Sequence, residues 1–312
     1  MSRHSSNRNS PVDLKALSVI SPWDWPDETA GQLARCLWDR EAPEAQRRLA
    51  LELVVELCDG LEEPFMACLE ILCNPSESDQ LRAEAAIALG PTLEEMDGLL
   101  EEDEEASELD PEDTWISPAL FLRAKATLRE LWYATELPEL VRRKVLEASV
   151  RASQPWHGEA IRTAYAMGDA DWTLSAVFAM QYVGGFEVEI LESLAHLDLD
   201  VRCEAIQAAG NWSLEEAWPQ VRSILDKGTR NKRLLLAAIE AAPALSPEAQ
   251  EYLQPYCESK DEDIADLAAE VLSMLEGEGL GEEQDVDEWE DQALEGEDDP
   301  EPLKGRGASF RN

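Results

Sequence analysis

Two stretches of the chain carry the same charged pair at the same spacing. Arg82, Glu84 and Ala85 stand in "QLRAEAAIALGPT", and Arg202, Glu204 and Ala205 stand in "DVRCEAIQAAGNW". A guanidinium two residues before a carboxylate, at the start of an apolar helical pattern, can hold a ligand or tie neighbouring helices together. Elsewhere, His157 in "QPWHGEAIRTAY" has Trp156, Glu159 and Tyr165 close in sequence, and an imidazole so placed could act as an acid or base. Nothing in the sequence brings it a partner, so it reads as a polar residue at a turn. Cys68 and Cys73 could form one edge of a metal site, but two further ligands are missing. Gly184 and Gly185 in "YVGGFEVE" have no preceding strand and no following Gly-Lys, so they read as a turn and not as a phosphate loop.

Whatever these residues do, a repeat positions them. Arg47 in "EAQRRLALELVVEL" and Arg142 in "ELVRRKVLEASV" stand in the register of Arg82 and Arg202. Weaker copies follow at Thr173, Leu235 and Ala265, so that steps of 29 to 33 residues separate the anchors from Arg142 onward. Each copy has apolar and small residues at helical spacing, such as Val201, Ala205, Ala208 and Ala209, then a break at Gly210, Pro91 or Pro243. A second amphipathic stretch follows, as in "EEPFMACLEILC", "FEVEILESLAHL" and "EEAWPQVRSILD". Each unit therefore reads as two antiparallel helices, and since one hairpin cannot bury its own apolar face, neighbours must stack into an α-solenoid. In this reading Arg47, Arg82, Arg142 and Arg202 are a structural ladder between repeats, and Glu84 and Glu204 are first-turn acids favoured by the helix dipole.

Charge narrows the partners. With 67 acidic against 26 basic residues and a net charge of −41, the chain lacks the basic footprint that nucleic acid requires. Twelve carboxylates fall in 94–113 and fourteen in 276–301, with no Lys or Arg in either window. Six cysteines, at positions 36, 58, 68, 73, 203 and 257, form no CxxC pair and read as reduced thiols of a cytoplasmic protein. No run of 18 apolar residues indicates a membrane span.

The stretch "LDLDVRCEAIQAAGNWSLEEAWPQVRSIL" resembles the HEAT repeat, in particular the short bacterial form also found in phycobilin lyase subunits. The family's Asp, Val-Arg, Ala and Gly positions fall on Asp200, Val201, Arg202, Ala205 and Gly210. The resemblance covers about residues 41–275 and implies a fold, since HEAT solenoids serve many roles. In the HEAT-type deoxyhypusine hydroxylases the same helix start carries His-Glu pairs that bind two irons. Here the His position is Ala83 in one copy and Cys203 in the other, and none of His4, His157 and His196 precedes a Glu, so that site cannot be assembled in the family's way.

The sequence thus predicts an all-α solenoid of about seven HEAT-like hairpins over 21–276, with an acidic insertion at about 94–116. Residues 1–20 are expected to be a disordered N-terminus, and 277–312 a disordered acidic tail with a basic end. The expected function is a monomeric, non-enzymatic scaffold or adaptor with no cofactor, binding a basic protein partner over an extended surface lined by the second helices. Its candidate anchors are Trp156, His157, Trp212, Trp218 and, in the tail, Arg306. The alternative is a maturation factor similar to the phycobilin lyases.

Overall fold

The computed structural model describes residues 13–57, 60–102 and 114–275. They form fifteen α-helices with short 3-10 turns, and no strand occurs among the described residues. After a single turn, α1 (Leu14–Leu17), come α2 (Thr29–Trp38), α3 (Glu44–Val54), α4 (Glu62–Cys73), α5 (Asp79–Glu102), α6 (Pro118–Tyr133) and α7 (Glu139–Ser149). Then follow α8 (His157–Ala166), α9 (Ala170–Ala179), α10 (Glu187–Ser193), α11 (Leu199–Asn211), α12 (Trp218–Lys227), α13 (Lys232–Leu245), α14 (Ala249–Leu253) and α15 (262–275). The odd helices from α3 to α13 stack one on the next as a continuous column. Each even helix from α4 to α12 packs mainly against the odd helix that follows it, while α2 packs on both α3 and α4, so the compact hairpins are α4/α5, α6/α7 and so on. The ladder arginines therefore open the second helix of each hairpin, not the first.

Local chemistry sets the boundaries. Asp169, Asp198 and Asn231 accept hydrogen bonds from the first free backbone N–H groups of α9, α11 and α13, and Pro118 takes the first position of α6, where no N–H is needed. Gly168 and Gly228, at φ of 68° and 65°, turn the chain after α8 and α12 in a conformation that side chains disfavour. The N-terminal boundary lies earlier than the sequence implied. Asp13 caps α1, Leu14 and Leu17 are buried, and the Trp25 indole donates to the Leu17 carbonyl at 3.2 Å.

The expected breaks at Pro91 and Pro243 do not occur. Both prolines lie inside helices, α5 and α13. Each removes one helical hydrogen bond, but the buried stripe Leu89, Leu93 and Met96 runs on past Pro91, and that packing holds the helix together. The acidic insertion is shorter in consequence, because residues up to Glu102 belong to α5. Asp97 accepts from Lys125 at 2.7 Å and from the Ser153 N–H at 3.0 Å, and Glu94 pairs with Arg151, so both acids tie α5 to later hairpins. The predicted tail lies outside the described residues.

Gly210 was expected to end its helix. It lies one residue before the end of α11 and also permits a close approach: a Cβ there would sit 2.9 Å from the Ala241 Cβ and 3.1 Å from its Cα on α13. At Gly90 in α5, a Cβ would meet only the Arg151 side chain, at 2.7 Å from Cδ. Alanine gains up to about 1 kcal/mol over glycine in a helix, so the two sites are predicted to respond differently. Gly210→Ala should lose about 1–2 kcal/mol because a neighbouring backbone must retreat. Gly90→Ala should stay within about 0.5 kcal/mol of the parent, because a flexible side chain can swing aside. Denaturant titrations of the two variants check this, and equal losses would refute the distinction.

Candidate functional site

The repeated arginines do one job three times over. Arg47 Nε donates to the Leu37 carbonyl at 3.1 Å, and Arg82 Nε to the Leu72 carbonyl at 3.0 Å. The Arg142 guanidinium donates to the carbonyls of Trp132 and Ala134, each at 2.6 Å. In each case one acceptor lies ten residues back, in the last turn of the preceding even helix, where helix carbonyls lack partners. Arg202 departs from the pattern, and its buried Nε has no partner among the described residues.

Ties between neighbouring hairpins run mostly through other residues. Arg48 bonds Glu84, and Arg143 bonds Asp171 at 2.9 Å. Glu204 accepts from Gln181 at 2.7 Å and from Arg233, and Glu147 accepts from Ser175 at 2.6 Å. Of the ladder arginines, Arg47 alone adds such a tie among the described residues, with two bonds to Glu77 at 2.7 and 2.9 Å. Glu84 and Glu204 are thus acceptors between hairpins as well as first-turn acids. Against the desolvation that would raise it, the hydrogen bonds from Arg48 and Gln80 hold Glu84 below the usual carboxylate range. Burial prevails at Glu204 and raises its pKa despite Arg233 and Gln181.

Of the expected anchors, Trp156 and His157 are sealed, at 8% and 0% exposure. Their rings lie 4.1 Å apart between centroids, and the Trp156 ring also meets Trp132 and Tyr133. They support a surface and do not themselves present it. Trp212 is 39% exposed, but its indole N–H is tied to the Met180 carbonyl at 2.7 Å and its ring covers Gly184. Trp218 stands edge-on to Tyr252 at 5.5 Å. Arg306 lies outside the described residues. Cys68 is buried and Cys73 exposed, so the two do not share an edge, and burial pushes the Cys68 thiol up to about 12. No cluster of three His, Cys, Asp or Glu able to hold a metal occurs among the described residues.

The surface that Trp156 supports is a cleft of about 560 Å³ where α6 to α9 meet. Trp132 and Tyr133 come from the end of α6, Leu137 from the following loop, Ala160, Ala164 and Met167 from α8 and its C-cap, and Trp172 from α9. Trp132 and Trp172 pack edge to face at 6.1 Å, while Tyr133 and Met167 stand more than half exposed at the rim. Glu139 and Glu159, in the first turns of α7 and α8, also line the cleft. Arg142, which also lines it, is turned onto the α6 carbonyls. Trp132 and Trp172 lie within helical patterns, where an aromatic residue is ordinarily packing. They do pack, and nothing in their spacing shows that their hairpins leave a cleft between them.

No family model matches the chain, and no curated protein matches it. Among solved structures, one similar to this chain is human deoxyhypusine hydroxylase in complex with glycerol, 16% identical, covering 84% of this chain and 99% of that chain, with a TM-score of 0.33. No described helix is long and apolar enough to cross a membrane.

Proposed function

We propose that this helical-repeat protein is a non-enzymatic scaffold that holds a segment of a partner protein in the α6–α9 cleft. The cleft carries the reading: about 560 Å³ walled by three aromatic side chains and small alanines, with exposed Met167 and Tyr133 at its mouth, is the concave apolar surface that anchors a partner's side chains. Three buried groups that could do covalent or acid–base work are unsuited to it. His157 is fully enclosed and burial lowers its pKa to about 4, while burial raises the thiols of Cys68 and Cys203 away from the reactive thiolate.

Met167→Arg tests the reading with little risk to folding, because Met167 is 59% exposed. The full-length chain is used to capture a partner, and its affinity for that purified partner is then measured for both forms. Met167→Arg should weaken binding about tenfold or more, because a bulky charged group then stands in the apolar mouth of the cleft, while the melting temperature holds. Unchanged affinity would overturn the assignment to this cleft.

A further inference from the structure

From the charges around the same cleft, and resting on the reading above, we infer that it selects a positively charged side chain on the partner. The ligand class is an arginine or lysine flanked by apolar residues. Aromatic rings carry negative charge on their faces and attract cations. Tyr133, Trp132 and Trp172 supply three such rings from two helices. Glu139 and Glu159 then stand on two further helices of the same cleft, and neither side chain has an ion-pair or hydrogen-bond partner among the described residues. This sets them apart from the acids of the hairpin ties, such as Glu77, Glu84 and Glu204, each of which is taken by an arginine.

The positive groups at the site are partly cancelled. Each helix N-terminus carries about half a positive charge, less than the full charge of the carboxylate in the first turn of α7 and of α8. Among the described residues Arg142 is the only lining cation, and its guanidinium lies against the carbonyls of Trp132, Ala134, Thr135 and Leu137, turned to the negative end of α6. An incoming anion would find Arg142 already bonded and two free carboxylates opposing it. An incoming cation would find the exposed Tyr133 ring beside the nearly buried Trp132 and Trp172, together with two unpaired acceptors, and its aliphatic stem would lie along Leu137, Ala164 and Met167.

Two labelled pentapeptides, Ala-Leu-Arg-Leu-Ala and the same sequence with citrulline for arginine, separate charge from shape, since citrulline keeps the size and loses the charge. Binding to the full-length chain is followed by fluorescence anisotropy. The arginine peptide should bind about tenfold more tightly than the citrulline peptide at about 50 mM salt, and the gap should narrow toward about 500 mM. Glu139→Gln together with Glu159→Gln should bring the two affinities within about twofold. Equal binding of both peptides by the parent protein would overturn the charge selection and leave the scaffold reading standing. A preference that survives the double substitution would overturn the roles of Glu139 and Glu159, and no binding of the arginine peptide would overturn the inference altogether. The Met167→Arg measurement on the natural partner decides the scaffold reading separately.

Discussion

Replacing Arg47 by alanine should lower the unfolding free energy by about 3–5 kcal/mol, the usual cost of removing one member of a buried ion pair. Arg47 is 5% exposed, and the side chain of Glu77 is 12% exposed. The substitution removes two bonds to Glu77, unties the Leu37 carbonyl at the end of α2, and leaves a carboxylate half stranded between hairpins. Arg48→Ala is the control. It is also bonded to a glutamate, but its side chain is 41% exposed and its charge is screened by solvent, so its loss should cost far less. Arg47→Met combined with Glu77→Leu should recover much of the loss, since two apolar groups of similar volume leave no unpaired charge. Urea titrations of the four proteins decide the matter, and equal losses at Arg47 and Arg48 would contradict it. A pH signature accompanies the effect. The hydrogen bonds from Arg47 hold the Glu77 carboxyl below its ordinary 4.5. The stabilisation is therefore complete above about pH 4.5 and is lost as the pH falls through the lowered value. Arg47→Ala should lack that part of the acid sensitivity.

The contrast between Arg47 and Arg48 shows what the sequence made legible. Repeating arginines at fixed spacing identified stacked hairpins, because each stacked unit needs the same residue at the same place. The target of the arginine was not legible. Its carbonyl acceptor lies ten residues back and has no side-chain identity, so no pattern of residue types could name it. Pro91 and Pro243 misled for a related reason. A proline's local cost is plain in the sequence, whereas the tertiary burial of Leu89, Leu93 and Met96 that offsets it emerges only when α5 meets its neighbours. Glu94 and Asp97 were hidden inside an acidic run, where their pairing with Arg151 and Lys125 leaves no trace in composition.

The cleft was illegible in a different way. Its residues come from four helices and a loop, and each alone has an ordinary explanation: Trp132 and Trp172 as packing, Glu139 and Glu159 as first-turn acids. Only the stacking of α6/α7 on α8/α9 makes the rings and the carboxylates neighbours. Trp156 and His157 were noticed in the sequence for their chemistry, and they sit beneath this surface, where burial decides their behaviour.

His157 gives the second large expected effect, a loss of about 3 kcal/mol of stability between pH 6.5 and pH 4 that disappears in a His157→Asn variant. The imidazole is fully buried, and desolvation, with the charge of Lys125 adding to it, lowers its pKa from 6.5 to about 4. Above pH 6.5 the ring is neutral in both states and titration costs nothing. Between 6.5 and 4 the unfolded chain takes up a proton that the folded chain refuses, so stability falls by about 1.4 kcal/mol per pH unit across that window. The bonding of the ring explains why the fold offers no compensation. Nδ1 accepts the Gln154 N–H at 3.0 Å, which places the proton of the neutral ring on Nε2, and Nε2 has no partner among the described residues. Charging the ring would break the first bond without giving the second nitrogen an acceptor. Asp97 on α5, the nearby acid that could help, is already engaged by Lys125 on α6 at 2.7 Å. Asparagine keeps an acceptor near Nδ1, so His157→Asn should be less stable at pH 7 by about 1–2 kcal/mol from lost packing, yet flatter from pH 6.5 to 4. The measurement is the difference between the two stability curves, which cancels the carboxylates common to both proteins. Parallel curves would show that the ring reaches solvent or finds a partner when it charges, and Lys125→Met should narrow the window by removing the cation that adds to the penalty.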